Sequence, residues 1–212
     1  RFEDALRRFE NLSKIKNTLE LAQPRLAKSI TKFDTDPMLF AAGNTWIDLK
    51  TGQPVTPQAN TLVSLQSSVR YDPEADCPVF KSFLNEIFLD DDALVKFVQR
   101  TVGYSLTGRI EEQCLFIFNG DGANGKSTLV NTITKLLGGY SKTAPEQTLL
   151  ANQRTGVGDD LAYLQGARFI SVSEIDEGQA LAEAKVKRIT GGDDIAGRAL
   201  YSLYGSLNIV GK

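Results

Sequence analysis

The nine residues 120–128, Gly-Asp-Gly-Ala-Asn-Gly-Lys-Ser-Thr, constrain the fold of this chain more than any other segment. An apolar run, Cys-Leu-Phe-Ile-Phe, precedes them and is typical of a buried strand. A helical pattern follows them, with one apolar face formed by Leu129, Ile133, Leu136 and Leu137. The spacing fits G-x-x-x-x-G-K-S/T at every fixed position. A strand, a glycine-rich turn and a helix together make a phosphate-binding loop, so the sequence predicts an α/β domain with this unit at its centre.

The residue types in this loop suit the binding of a nucleotide. Glycines let the backbone turn back so that successive amides face phosphate oxygens, and the helix that follows adds the positive end of its dipole. The positively charged Lys126 is expected to contact the β and γ phosphates, and the Ser127 hydroxyl is positioned to ligate Mg²⁺. A chance match in a glycine-rich turn is the alternative, and the strand–loop–helix context argues against it. The predicted nucleotide contacts are Gly120, Gly122, Ala123, Asn124, Gly125, Lys126, Ser127 and Thr128.

A second strand with acidic residues at its end is needed to hold the metal and orient the attacking water. Phe169, Ile170 and Val172 predict a short buried strand, and acidic residues follow at its carboxyl end, where open α/β sheets place their ligands. Side chains repeat every two residues along a strand, so Glu174 and Asp176 are expected to face the same side. A solvated acidic turn is the alternative interpretation of this segment.

Two stretches upstream carry apolar residues at helical spacing. The first predicts a helix whose stripe consists of Phe80, Phe83, Leu84 and Ile87. The second predicts a helix that is capped by an aspartate and ends at Gly103. The stripe of this second helix consists of Leu94, Phe97, Val98 and Val102.

The first part of the chain predicts a mainly helical region with a small irregular β part. Residues 1–23 carry apolar side chains at helical spacing, among them Leu12, Ile15 and Leu19, and Pro24 is expected to break this pattern. Residues 39–40, 46–49 and 62–65 are candidate short strands, and residues 50–52 suit a tight hairpin turn. A boundary near Gly108 divides the chain into an N-terminal region, residues 1–108, and a phosphate-loop core, residues 109–212.

Composition excludes several other classes of protein. The sequence lacks histidine, and its two cysteines, Cys77 and Cys114, lie far apart, which argues against zinc and favours reduced thiols in a cytosol-like compartment. No apolar run approaches the length of a membrane span, and the first residues do not resemble a signal peptide. The net charge of −2 neither indicates nor excludes binding to nucleic acid.

Several motifs together resemble the superfamily 3 helicase module of phage, plasmid and large-DNA-virus primase–helicases, of the poxvirus and satellite-phage type. The loop has the family's form G-x-G-x-N-G-K-S-T, with Asn124 as its particular mark. The acidic strand ends in Ser173-Glu174, followed by acids and a glycine. Residues 71–108 are similar to the helical region that precedes the motor. Downstream, a lysine followed by T-G-G-D and an arginine is matched by Lys187, Thr190, Gly191, Gly192, Asp193 and Arg198.

The resemblance implies a P-loop NTPase core of the AAA+-like superfamily 3 type, acting as an ATPase and DNA helicase with ATP and Mg²⁺ as cofactors. Its catalytic residues would be Lys126, Glu174 and Asp176, with Ser127 and Glu174 at the metal. Lys187 and Arg198 would lie near single-stranded DNA or a neighbouring subunit. The resemblance further implies a homo-oligomer, a hexameric ring, working in replication in the cytoplasm of a prokaryotic host or a virus-infected cell. A primase or polymerase domain would lie outside this chain.

Two alternatives remain open at the level of sequence. The chain could be an assembly module that binds ATP with negligible turnover. The spacing from Lys126 to Glu174 does not exclude a small-molecule kinase, although the T-G-G-D segment argues against one. The chain is also expected to be incomplete at its C-terminus, because Asn208 lies too early in its strand to be the sensor asparagine of the family. The arginine finger is expected outside this chain for the same reason.

Overall fold

A computed structural model of the 212-residue chain describes most of its length. The described residues are 11–58, 60–120, 122–151, 163–164, 166–172, 180–191, 194–195 and 207–208. Within them the protein is a mixed α/β fold with a small parallel sheet, as the sequence predicts at this coarse level. No helix in the described part of the chain is both long enough and apolar enough to cross a bilayer.

Five helices and seven short strands are assigned in the described residues. The helices are α1 (Leu12–Leu26), α2 (Pro78–Ile87), α3 (Asp92–Leu106), α4 (Lys126–Leu137) and α5 (Glu183–Gly191). The strands are β1 (Leu39–Ala41), β2 (Trp46–Asp48), β3 (Gln53–Val55), β4 (Ser141–Ala144), β5 (Phe169–Val172), β6 (Asp194–Ile195) and β7 (Leu207–Asn208). Strands β1, β2 and β3 form an antiparallel meander, β4 and β5 pair in parallel, and β6 pairs with β7 in antiparallel fashion.

The meander follows the prediction in two strands and departs from it at the third. The tight turn after β2 is confirmed, since the amides of Lys50 and Gly52 bond to the side chain and carbonyl of Asp48. Residues 62–65 do not form the predicted strand, and Leu62 makes only an isolated bridge. The reason is a side chain: the Asp34 carboxylate accepts hydrogen bonds from the amide and hydroxyl of Ser64, which take the place of a strand ladder. The third strand is β3, which the sequence did not indicate.

Helices α2 and α3 are confirmed, with corrections to α3. Helix α2 begins with a proline in its first turn, and its predicted stripe is half-buried against the main core. Asp91 caps α3 by accepting from the amides of Ala93 and Leu94, as predicted. The helix passes Gly103 and ends at Leu106, so the predicted exit is wrong.

The buried face of α3 is rotated from the predicted one. Its buried residues are Val98, Thr101 and Ser105, whereas Leu94 and Phe97 are exposed. Thr101 and Ser105 tolerate burial because each hydroxyl donates to a carbonyl one turn earlier in the helix. Apolar spacing alone could not show that hydroxyl groups satisfied in this way would face the core.

Helix α1 forms as predicted but extends past Pro24 to Leu26. The proline lies in the last turn, where little helix remains to be disrupted. Asn11 caps the first turn by accepting from the amide of Ser13. None of the residues of α1 is buried, and the first ten residues of the chain lie outside the described residues.

The main hydrophobic core joins the two halves of the chain. Its buried members are Phe40, Ala42, Val98, Leu129, Ile133, Leu137 and Tyr140. Residues from β1 and α3 therefore share one core with α4, across the predicted boundary at Gly108. The division into residues 1–108 and 109–212 stays a prediction. A second core lies beside β4 and β5 and consists of Ala144, Leu149, Leu164 and Ile189.

Two predictions about apolar side chains flanking the phosphate loop are wrong. Residues 114–118 form no strand in the described part of the chain, and burial alternates along them, with Ile117 75% exposed. A strand needs a hydrogen-bonding neighbour, and the described parallel sheet pairs only β4 with β5. Leu136 is also exposed, although the other three predicted residues of the α4 face are buried.

Arg168 connects the N-terminal half to strand β5. Its side chain is 5% exposed and donates to the carbonyls of Leu106 at 2.7 Å and Leu39 at 2.8 Å. The guanidinium lies 4.4 Å from the ring centroid of Tyr140, whose hydroxyl accepts from the amide of Ala41. Burial lowers the pKa of Arg168 and raises the pKa of Tyr140 relative to their ordinary values. Main-chain carbonyls thus satisfy a buried cation at the junction between α3, β1 and β5.

Candidate functional site

The loop before α4 contains three described residues with positive φ. Gly120 has a φ of +154°, Gly125 a φ of +82°, and Ala123 a φ of +59° even though it is not a glycine. A left-handed conformation at a non-glycine residue costs about 1–2 kcal/mol, so the alanine is held there by its surroundings. Asp121 lies outside the described residues. These conformations turn the chain sharply between residues 120 and 125 and feed it directly into a helix.

Helix α4 begins at Lys126, immediately after the loop, as the sequence predicts. Its first turn contains Lys126, Ser127 and Thr128, and the first amides of any α-helix lack partners within the helix. Those amides and the positive end of the helix dipole favour an anion at this position. Ser127 and Thr128 are exposed, so both hydroxyls are open to a ligand. This arrangement suits a phosphate group with a metal ion beside it.

The ammonium group of Lys126 lies over the loop. It donates to the carbonyl of Gly120 and, at 2.9 Å, to Oδ1 of Asn124, and the residue is half-buried. A Cβ placed on Gly120 would collide with the amide of Asn124, so the glycine allows these two residues to approach each other. Asn124, singled out from the sequence as a particular mark, therefore helps to hold the lysine charge where phosphates would bind.

The back of the loop rests on helix α2, a contact that sequence reasoning missed. A Cβ placed on Gly125 would lie 2.6 Å from Cγ2 of Ile87 and 3.1 Å from Cε2 of Phe83. Both side chains were predicted as part of an apolar stripe, but the stripe itself did not indicate its partner. The only sequence signal was the glycine, since an obligatory small residue can mark a close approach by another element.

The second predicted part of the site is described only up to its strand. Strand β5 is confirmed and pairs with β4, although its side chains are half-buried rather than buried. Phe169, its first residue, packs against the same core as α4. Glu174, Asp176 and Glu177 follow the end of β5 and lie outside the described residues, so their roles stay predictions. Among the residues that are described, no three His, Cys, Asp or Glu side chains form a potential metal cluster.

The predicted DNA-contacting segment is described in part. Lys187 lies on an exposed face of α5, with Nζ 3.4 Å from Oε2 of Glu183 one turn earlier. An exposed i,i+4 ion pair of this kind contributes a few tenths of a kcal/mol, about 0.3–0.5, to helix stability. Thr190 is buried and donates to the carbonyl of Val186, which anchors the last turn of the helix. Gly192, Asp193 and Arg198 lie outside the described residues.

The described residues form a mixed α/β fold in which a glycine-rich loop leads directly into helix α4, and comparison with known proteins adds to this. Residues 1–89 match the family model described as D5 N terminal like. A protein of Acanthamoeba polyphaga mimivirus, named "Putative helicase L207/L206", is 27% identical over 179 residues. That alignment covers 81% of this chain but only 18% of the length of the mimivirus protein.

The two matches confirm the resemblance to a primase–helicase module of phages and large DNA viruses. The D5 match contains strands β1 to β3 and helix α2, including Phe83 and Ile87, and ends before the phosphate loop. The longer alignment with the mimivirus protein spans most of the chain at low identity. The family model therefore matches residues 1–89, less than half of the 212-residue chain.

Proposed function

We propose that this chain is the ATP-dependent DNA helicase or translocase module of a replicative primase–helicase. The observation that carries the proposal is the loop of residues 120–128, with its left-handed turn, its lysine held over the loop and its direct entry into α4. The confirmed resemblance supports the same function, since the mimivirus relative is named as a helicase. The core is proposed to be a P-loop NTPase of the superfamily 3 type.

Each residue of the site has a distinct role in this proposal. The loop amides and Lys126 bind the β and γ phosphates and stabilise the charge that develops as water attacks the γ-phosphate in line. Ser127 and Glu174 would hold Mg²⁺, which supplies charge neutralisation at the transferred phosphoryl group. Glu174 with Asp176 orients the attacking water. The exposed hydroxyl of Ser127 fits this role, because it lies beside the lysine at the start of α4.

The proposed movement along DNA involves several copies of the chain. We propose a homo-oligomeric ring, a hexamer, in which ATP binds between subunits and each site is completed by an arginine from the next subunit. Lys187 and Arg198 would lie near single-stranded DNA or a neighbouring subunit, and a primase or polymerase domain would belong to the longer protein. The ring would act in DNA replication, in the cytoplasm of a prokaryotic host or a virus-infected cell.

Phosphate release by the purified chain, measured with ATP and Mg²⁺ and with or without oligo-dT, tests the proposal. We expect oligo-dT to raise ATP turnover. Lys126→Ala should abolish turnover, because it removes the positive charge that faces the β and γ phosphates. Lys135→Ala, on the same helix but away from the loop, is the matched control and should retain activity. ATP binding and subunit assembly without any turnover, in a longer chain that contains the arginine finger, would instead identify an ATP-binding assembly module.

A further inference from the structure

We propose that helix α2 positions the phosphate-binding loop, with Ile87 and Phe83 acting as positioning residues behind Gly125. The inference rests on the proposed nucleotide site. It adds helix α2 to that site, and α2 lies within residues 1–89, which the D5 model matches. Helix α2 carries no group that would touch a nucleotide phosphate at this contact. It would act by fixing the backbone whose amides do so.

Gly125 is under two constraints at once. Its φ of +82° places it in the left-handed region, and its Cα faces a gap only wide enough for a hydrogen atom. Cγ2 of Ile87 and the ring edge of Phe83 lie 2.6 Å and 3.1 Å from the position that a Cβ would take. Gly125, the N-cap residue of α4, therefore packs closely against α2.

Helix α2 is itself held firmly enough to serve as a support. Its stripe packs on the main core, to which α4 contributes Leu129, Ile133 and Leu137, so α2 and α4 share one core in addition to the contact at Gly125. The rings of Phe80 and Phe83 stack with centroids 6.0 Å apart, which restricts the ring that faces Gly125. Packed side chains of this kind shift between discrete arrangements and do not deform smoothly.

The end of α2 is fixed immediately after Ile87. Leu89 and Asp90 both adopt left-handed conformations, with φ of +52° and +58°, and Leu89 is almost fully exposed. The amide of Asp90 donates to the carbonyl of Asn85 at 2.8 Å, and Asp91 then caps α3. Two successive left-handed residues that are not glycine indicate a turn held by its surroundings. This turn fixes the position of Ile87 relative to α3 and the core.

One consequence is that the N-terminal half and the nucleotide influence each other. If the position of α2 sets the shape of the loop, then any partner that moves α2 changes nucleotide affinity, and nucleotide binding biases the position of α2 by the same free energy. Chains of packed side chains can carry such coupling, and the contact between Ile87 and Gly125 supplies one here.

Two substitutions of Ile87 separate positioning from simple packing. Ile87→Val keeps the β-branch and its Cγ2 methyl and loses one methyl further out, whereas Ile87→Leu keeps the volume and loses the branch that faces Gly125. We expect Ile87→Leu to speed hydrogen exchange at the amides of residues 122–128 in the nucleotide-free protein. The same variant should weaken binding of a fluorescent ATP analogue roughly tenfold, in the range typical of coupling through packed contacts. Ile87→Val should remain close to the unsubstituted chain in both measurements.

The control variant is Val79→Ala, which removes an apolar side chain from the same helix at a position that is 83% exposed. It should leave exchange in the loop and nucleotide affinity unchanged. Phe83→Leu provides a second test at the other α2 side chain that contacts Gly125, and it should act like Ile87→Leu. Exchange in strands β1 to β3 reports on global folding and should be the same in all variants. The inference is overturned if Ile87→Leu and Ile87→Val have equal effects, or if loop exchange is unchanged in both.

The exchange measurement also separates this inference from the proposed function. If the unsubstituted chain fails to bind ATP, the proposed function fails, while loop exchange in the two Ile87 variants still decides whether α2 supports the loop. If ATP binds equally well to all variants and loop exchange is unaffected, only the positioning role is lost.

Discussion

Helix α4 buries three apolar side chains to 3% exposure or less: Leu129, Ile133 and Leu137. Helix α1 has similar helical spacing in Leu12, Ile15 and Leu19, and these are 44–66% exposed. The difference comes from neighbours, since α4 packs against β1, α3 and the stripe of α2, whereas none of the residues of α1 is buried. Apolar periodicity indicates which face of a helix could be buried, and tertiary contacts decide whether it is.

The largest expected effect comes from emptying the buried face of α4. Leu137→Ala should lower the free energy of unfolding by about 2–5 kcal/mol, because it leaves a cavity in a core that closes on both halves of the chain. Urea denaturation followed by circular dichroism measures this change. The adjacent Leu136→Ala, on the exposed side of the same helix, is the control and should cost well under half as much.

A smaller but substantial loss of stability is expected at Arg168. It tests whether the core around α4 depends on the contacts of Arg168 with the meander and with the end of α3. Arg168→Lys should cost about 2 kcal/mol, because a lysine cannot reproduce the planar fork that reaches two carbonyls and stacks on Tyr140. Equilibrium unfolding in urea again provides the measurement. Arg109→Lys is the matched control, since the Arg109 side chain is exposed and forms a surface ion pair with Glu111. Equal losses at both arginines would contradict the proposed importance of the junction.

The smallest expected effect is on helix α1, where Leu19→Ala should change stability by no more than about 0.5 kcal/mol. The side chain is exposed in the chain as described, and alanine is itself a good helix former. Thermal unfolding at two protein concentrations provides the measurement. A loss above about 2 kcal/mol, growing with protein concentration, would show that α1 is buried between copies of the chain and would break the contrast with α4.

Local features were predictable where the signal lay in a few neighbouring residues. The start of α4, the Asp91 cap and strand β5 all follow from such signals, and each is found where expected. Features that depend on distant partners were not predictable. Residues 62–65 do not form a strand because the amide of Ser64 bonds to the Asp34 carboxylate. The face of α3 that is buried depends on which elements pack against it.

The candidate site likewise has a part that local sequence predicts and a part that depends on distant residues. The phosphate-facing side of the loop could be predicted, because residue types and spacing carry its chemistry within nine consecutive positions. The supporting side could not, because Ile87 lies far from Gly125 in the sequence and its apolar stripe is compatible with many partners. Whether Glu174 and Asp176 complete the site stays a prediction from sequence alone.

The Arg168 junction has a consequence for how the chain is made. Arg168 bonds to the carbonyl of Leu39, 129 residues earlier, and Tyr140 accepts from an amide 99 residues earlier. During synthesis the chain emerges from its N-terminus, so β1 and the end of α3 are complete long before their partners have left the ribosome. Closing such long segments is slow, because chain entropy must be lost before any contact compensates for it. The carbonyls of Leu39 and Leu106 therefore gain their hydrogen bonds from Arg168 only after residue 168 has been synthesised and has folded back against them.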